Sequence, residues 1–478
     1  MRSRREFLGS TAVIVGVAVA ESSGLSFAPA GAEAFRPEDF GARGDGVTND
    51  TAAFAAMAAA VNARAGGIVE LRPTTYLVGA QPPKHRGPYA YQPLRVMEFI
   101  GCTRPLVIRG NGARLRCAGG LRYGTFDPRT GRPTVHRTPF YGTHEIATPY
   151  MWMIKVENCS GGVEIADLEL DGNLGRHVLG GEYDGPGRQI AATGIGLYNN
   201  RGAETLRRLF IHHHALDGIT IDGDHRAPAA PRLIEDVRCE ANGRQGCSIV
   251  GGRGYVFRRC RFVDTGKAGI FSPPGGGVDI EAEGGKQVLD LAFENCVFSN
   301  NSGPGLIAAE GPSEGANFSG CTFVGTTMWA CWPNKPGLRF SNSTFVGASV
   351  NAYGNKKQPE RASQFINCQF LDDPSLSPTG EVYGSTREPL PIFDLSDNPN
   401  VRFRNCRFRL TARAKLPWTT PAVIFEDCTM TQRSRDIAYP RGTFVGRNTI
   451  TGSINLQYGV NRGELIANGT RFPQGTIN

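Results

Sequence analysis

Acidic side chains gather in one stretch of this chain: Asp222, Asp279, Glu281, Glu283 and Glu310, interspersed with Asp224, His225, Arg226, Arg244, Arg253 and Lys267. Two carboxyls in proximity can do acid–base work, one protonating the oxygen of a glycosidic bond while the other activates a water. Carboxylates are also hard oxygen donors, so Asp279, Glu281 and Glu283 form a candidate calcium set. With a cation in place, Arg or Lys could instead remove the C5 proton of a uronate and drive β-elimination. On these readings Asp222, Asp279, Glu281, His225 and Arg253 are candidate catalytic residues. Tyr198, Arg244, Lys267 and Glu310 are candidate substrate contacts. An outward carboxylate on a sheet is as often merely solvated; the clustering is what singles these out. His212, His213 and His214 look like a metal cluster, but neighbours in a strand alternate faces, so at most two converge.

These residues meet only if a regular scaffold brings them together, and the sequence carries one. Phe-Arg-Arg-Cys-Arg-Phe around Cys260 and Phe-Glu-Asn-Cys-Val-Phe around Cys296 belong to a motif that places Cys239, Cys260, Cys296, Cys321, Cys368, Cys406 and Cys428 in one series. Ser343 takes the cysteine position in Phe-Ser-Asn-Ser-Thr-Phe. Spacings of 21 (Cys239 to Cys260), 25 (Cys296 to Cys321) and 22 residues (Cys406 to Cys428) indicate a solenoid. Its strands are short and alternating, with Gly and Asn between them, and no leucine consensus or long helical period follows Ala65. Ahead of most motif cysteines lies a glycine-led strand, beginning at Gly194, Gly218, Gly246, Gly277 and Gly305. Alternation points Ile219, Ile221, Cys247, Ile249, Val278 and Ile280 inward, and Thr220, Asp222, Ser248, Val250, Asp279 and Glu281 outward. Stacked coils then put Asp222, Val250 and Glu281 in one outward column, with Asp279 in the next. Tyr198, Trp329, Trp332 and Tyr353 are aromatics that could stack on sugar rings or simply pack.

A solenoid needs its open end covered, and the alanine-rich segment from Thr51 to Ala63 after Asn49-Asp50 reads as a capping helix. The ladder would start at Ile68-Val69-Glu70-Leu71. The run Asp39-Phe40-Gly41-Ala42-Arg43-Gly44-Asp45-Gly46-Val47-Thr48-Asn49-Asp50-Thr51 closely resembles the N-terminal signature of the pectate-lyase-like β-helix superfamily, which includes polygalacturonases, polysaccharide lyases and phage tailspike depolymerases. The resemblance implies an all-β, right-handed parallel β-helix solenoid with an N-terminal capping helix, acting on a polysaccharide. Asp45 and Asp50 read as turn and cap residues. Polygalacturonases carry an Asn-Thr-Asp strand, which Leu216-Asp217-Gly218 only partly matches. Their next coil bears an acidic pair where Arg244-Gln245 stands here, and their Gly-His-Gly and Arg-Ile-Lys motifs are missing. The ordinary polygalacturonase reaction is therefore not expected. The alternative to an enzyme is a noncatalytic glycan-binding or cell-surface β-helix.

Bulk properties set the remaining expectations. Ser3-Arg4-Arg5-Glu6-Phe7-Leu8, the apolar stretch Thr11 to Ala20 and small-residue sites up to Ala34 resemble a twin-arginine export signal. Residues 1–34 are thus expected to be removed, leaving one domain, 35–478, in the periplasm or secreted. The apolar stretch is too short to span a bilayer, which takes about 20 residues, and no later stretch does so. The net charge of +8 favours acidic polymers, while the absence of Lys/Arg runs argues against nucleic acid. Twelve cysteines with no Cys-x-x-Cys pair read as free, buried thiols. Monomer and homotrimer are both compatible with a solenoid.

Overall fold

The computed structural model describes residues 34–83, 87–92, 94–135, 146–183, 187–226 and 230–478. The expected export leader lies outside the described residues, apart from Ala34. Ala34–Phe35 pairs in parallel with the strand Gly67–Glu70, which in turn pairs with Leu106–Arg109. Helix Thr51–Ala63 buries Phe54, Met57 and Val61 against this first coil, with the Phe54 ring edge-on to Tyr76 at 5.1 Å. Asp50 stands at the N-cap, its carbonyl accepting from Phe54 N–H at 3.1 Å, but its side chain does not bond the helix. Its carboxylate accepts from the Arg43 and Gly44 N–H groups at 2.8 and 3.1 Å, tying down the signature loop instead.

Beyond the cap the chain winds as a right-handed parallel β-helix. A front sheet stacks Met97–Ile100, Trp152–Glu157, Thr193–Tyr198, Asp217–Asp222, Gln245–Arg253, Val278–Ile280, Leu306–Ala308 and Cys331–Pro333 in order, all parallel. A bent second wall begins with the long strands Leu106–Cys117, Val163–Asp171, Glu204–His212 and Arg232–Glu240. It continues as pairs of three- or four-residue strands such as Tyr255–Arg258 and Arg261–Val263. The bend falls on a left-handed residue in each coil: Asp167, Arg208, Asp236, Arg259, Asn295, Asn342, Asn367, Asn405 and Asp427, with Gly320 and Gly446 in the same corner. Asn, Asp and Gly predominate because they tolerate positive φ best.

The residues of the repeat stack on their own kind. Phe257, Phe293, Phe318, Phe340, Phe365, Phe403, Phe425 and Phe444 form one column, with successive ring centroids 4.5 to 5.6 Å apart. Phe262, Phe298, Phe323, Phe345, Phe370 and Phe408 form another. Between them, the corner thiols from Cys296 to Cys428 donate to a phenylalanine carbonyl of the preceding coil, as Cys321 does to Phe293 and Cys428 to Phe403, both at 3.4 Å, while Cys260 donates to Ile234 O at 3.2 Å. All twelve cysteines are free and buried. One member of the expected series is misplaced: Cys239 pairs in register with Phe262, and Val237 is the residue that lines up with Cys260. The Val237 coil lacks the paired phenylalanines that define the motif, so cysteine identity alone misled the alignment by two residues.

Close approach of coils explains the glycine-led front strands. A Cβ on Gly194, Gly218, Gly246 or Gly277 would lie 2.5 to 2.6 Å from the carbonyl oxygen of the next glycine in the column. The expected inward residues Ile219, Ile221, Cys247, Ile249, Val278 and Ile280 are all buried. One continuous apolar core runs from Phe35 to Ile477.

Phe340 is completely buried and stacked on both sides, at 4.6 Å from Phe318 and 4.9 Å from Phe365. Phe340→Ala is expected to cost about 3–5 kcal/mol, read from chemical denaturation. A loss below about 1 kcal/mol would show that the column does not hold the coils together.

Candidate functional site

On the front sheet the in-register outward column runs Lys155, Gly196, Thr220, Ser248, Asp279, Ile307, Trp332. Although outward, Asp279 is only 4% exposed. It is covered by the coil before it: Gln245 Nε2 donates to its Oδ2 at 2.7 Å, and Gln245 Oε1 accepts from Gly276 N–H at 3.1 Å. The loop 272–276 is pinned against this region. Ser272 Oγ accepts from Arg188 N–H at 2.9 Å, and Gln189 Nε2 donates to Pro273 O at 2.9 Å. Segment 269–271 leads into the same loop without forming a strand.

Burial pushes the Asp279 carboxyl up to about 7; the negative charge of Glu281 adds to the rise and the Arg244 guanidinium opposes it. Glu281 is half-buried and also raised, first by burial and then by the charges of Glu283 and Glu310. It stays in the sheet's pattern, its N–H donating to Ile249 O at 3.1 Å. Lys335, lowered by burial, feels Glu310 and Glu281 from the other side. Arg244 is held on both arms by the buried Asp217, Nε to Oδ1 at 2.9 Å and Nη2 to Oδ2 at 2.6 Å, and reaches Gln189 Oε1 at 3.2 Å. The site therefore consists of a buried carboxyl that stays protonated up to near neutrality, a more exposed carboxylate two residues along, and a fixed cation beside both.

Of the residues singled out in the sequence, Arg244, Asp279, Glu281, Glu283 and Glu310 are drawn into this one electrostatic neighbourhood. Asp222 is not. The front sheet shifts register between Ile221 and Asp222, so Asp222 pairs with Gly251 rather than entering the Val250–Glu281 column. Its carboxylate is taken by the Lys286 ammonium, which also bonds Asn199 Oδ1 at 2.9 Å. His225 accepts from Gln287 N–H at 3.1 Å beside that pair, and exposed Arg253 bonds Asp290 at 3.2 Å. Lys267 donates to Thr327 Oγ1 at 2.6 Å. Tyr198 lies three coils before Glu281, accepting from Trp152 Nε1 at 3.0 Å, with the Lys155 ammonium 5.5 Å from its ring. Gly196 makes room for this aromatic pair, since a Cβ there would come within 2.5 Å of Tyr198 and 2.8 Å of Trp152.

Asp217 and Gln245, which bind the site's cation and acid, stand out in the sequence only as departures from the polygalacturonase motifs, which assign them no role of this kind. Trp332 joins the Asp279 column two coils on, edge-to-face with Trp329 at 5.4 Å. Among the described residues, the group of three whose donor atoms lie within 4.8 Å of one another is Asp171, His212 and His213; the calcium set Asp279, Glu281 and Glu283 is not preassembled in this way. His214 turns inward, its Nδ1 2.8 Å from Tyr150 Oη: the strand ends at His212, and the left-handed His213 breaks the alternation that would have sent His214 outward.

The raised Asp279 carboxyl has a measurable consequence. Between about pH 4 and about pH 7 the folded chain holds a proton there that the unfolded chain has released, so this group's contribution to stability is full below about pH 4 and is lost as the pH rises to about 7. The shift is worth about 4 kcal/mol at about 1.36 kcal/mol per pH unit. Asp279→Asn should remove that slope, so its stability relative to wild type rises by a few kcal/mol over this range in urea unfolding. Parallel curves would mean that Asp279 is already ionised at low pH.

The family model described as "Right handed beta helix region" matches residues 154–370, a span that contains Asp217, Arg244, Asp279 and Glu281. No curated protein sequence matches the chain. Among solved structures it is similar to the A-module of the Azotobacter vinelandii mannuronan C-5 epimerase AlgE6, at 18% identity over 92% of this chain and 100% of that one, with a TM-score of 0.45. It is similar to an exopolygalacturonase from Thermotoga maritima at 13% identity, 93% and 94% coverage and a TM-score of 0.35. It is also similar to the tailspike protein gp49 of Acinetobacter baumannii bacteriophage Fri1, a capsular polysaccharide depolymerase, at 13% identity, 90% and 64% coverage and a TM-score of 0.42.

Proposed function

We propose that this chain is an exported enzyme that hydrolyses a polysaccharide lying along its front sheet. The observation that carries the reading is Asp279: an outward residue on the sheet face that is nevertheless buried, with its carboxyl pushed up to about 7, beside Glu281. A buried carboxyl that holds its proton, beside a second, half-buried carboxyl, supplies the two groups that an acid and a base require. Asp279 donates its proton to the glycosidic oxygen as the C–O bond breaks. Glu281 takes a proton from the water whose oxygen bonds to the anomeric carbon. On extended chain the Cα atoms of residues two apart stand about 6.5–7 Å apart, a spacing that leaves room for a water between the two carboxyls and makes inversion the outcome to test. Arg244, fixed by Asp217, steadies the charge that forms on Asp279. Aromatic pairs at Trp152/Tyr198 and Trp329/Trp332 flank the acid on either side and offer stacking platforms.

The local charge refines the substrate. The overall charge favours an acidic polymer, but Asp279, Glu281, Glu283 and Glu310 surround the reacting position, and Arg244 is already paired. This field favours a sugar without a carboxylate at the point of cleavage. A uronate would need a cation such as Ca²⁺ to enter, and β-elimination is then the second reading. The arginine pair near the N-terminus supports export.

Reducing-end release from neutral and uronate polysaccharides, with and without Ca²⁺, tests the proposal. Hydrolysis of a neutral polymer is expected, with a rate that falls above about pH 7 as the acid deprotonates. Asp279→Asn and Glu281→Gln should each lower kcat by about 10²–10⁴. An ultraviolet-absorbing unsaturated product would replace hydrolysis by elimination, and no cleavage of any polymer would leave a glycan-binding protein.

A further inference from the structure

The second wall carries a cluster that the front-sheet chemistry does not use. Asp171 and His212 are in-register neighbours on adjacent coils, both outward at the end of the wall. Strict alternation would send His213 to the opposite side. Its left-handed backbone, φ 55°, turns the ring back, so that His213 Nδ1 lies 2.7 Å from His212 Nδ1. Asp171 Oδ1 is 3.7 Å from the same His212 nitrogen. Three donor atoms, two imidazole and one carboxylate, thus converge on one point.

What surrounds them is a supporting layer. Glu169 Oε1 lies 3.1 Å from His212 Nε2, fixing the proton on that nitrogen and leaving the Nδ1 lone pair facing the cluster. Phe210 stacks on the His212 ring at 4.1 Å, holding its orientation. Asp171 is oriented in turn: Arg114 takes its Oδ2, with Arg116 at 3.4 Å from the same atom, while Oδ1 accepts from Asn173 N–H at 2.8 Å and keeps a side toward the histidines. A carboxylate bound to the outer nitrogen of a histidine is the arrangement that orients histidines for metal binding.

We propose that Asp171, His212 and His213 bind a divalent transition-metal ion of the zinc class. Two nitrogens and one oxygen suit a borderline metal, whereas Ca²⁺ takes a larger set of oxygens. Tetrahedral zinc with bonds of about 2.0–2.1 Å needs its nitrogens about 3.3 Å apart. The histidine pair must therefore open by about 0.6 Å, a movement that half-buried His213 at its corner can make. The metal displaces the hydrogen bond between the two Nδ1 atoms, and a water completes the fourth position. This site does not depend on the hydrolase reading, because it shares no residue with the Asp279 site.

The test is calorimetric titration of Zn²⁺ into the untagged full chain, with Ca²⁺ as a control. One zinc per chain is expected, with no saturable calcium uptake here. His213→Ala should abolish the site, and Glu169→Gln should weaken it about 10- to 100-fold. Ala241 holds the same left-handed corner one coil on, at φ 54°, so alanine at 213 is compatible with the backbone. Unfolding in the presence of a chelator checks that the variant is folded. Co²⁺ in place of zinc gives an independent readout through its tetrahedral visible spectrum. Absence of saturable zinc uptake by wild type, or uptake undiminished in folded His213→Ala, overturns the proposal.

Discussion

The structure depends on like residues stacking in register. Parallel coils repeat about every 4.8 Å, close to the separation at which aromatic rings stack. A phenylalanine at one position in each coil therefore builds a column with centroids 4.5 to 5.6 Å apart. No coil can bury its apolar side alone, so each supplies the surface that the next one needs. The left-handed corner residues and the thiols beside them keep the bend at the same place in every turn. Everything on the outside inherits this spacing. Columns of outward side chains form whether or not they do chemistry, and function has to be found where a column is interrupted or covered.

The Asp279 site is such a place. Along its column a serine and a threonine give way to a carboxyl, and the preceding coil folds Gln245 over it. Covering costs the carboxylate its water, which raises its proton affinity; a fully solvated acid at the same position would be ionised at neutral pH. Asp217 and Arg244 neutralise each other next to it, so the cation is present without drifting into the groove. The acid, the ion pair and the acidic rim come from four successive coils, which is why one strand's sequence does not reveal them.

The second wall uses the same geometry to a different end. There a corner residue in left-handed conformation brings His213 round beside its neighbour, and in-register pairing adds Asp171. Opposite charges are balanced around it by Arg114, Arg116 and Glu169. Two sites of unlike donor chemistry thus rest on two faces of one core.

The sequence by itself determined the solenoid, the capping helix and the facing of the front strands. These follow from local pattern: alternation sets inside from outside, and a repeated Phe-x-x-Cys-x-Phe sets the turn. It also put Asp279 and Glu281 in neighbouring outward columns, which can be counted from the repeat, with Arg244, Glu283 and Glu310 in the segments around these strands. Tertiary structure alone decided the rest. A one-residue shift between Ile221 and Asp222 removed Asp222 from its column and gave it to Lys286, and a bulge of this kind leaves no mark in composition. Cys239 shared a residue type with the corner series without sharing its position. Burial of Asp279, the pairing of Arg244 with Asp217 and the turn of His213 depend on what neighbouring coils place over them. Contacts between coils join residues about 17 or more positions apart, and local pattern carries no record of them.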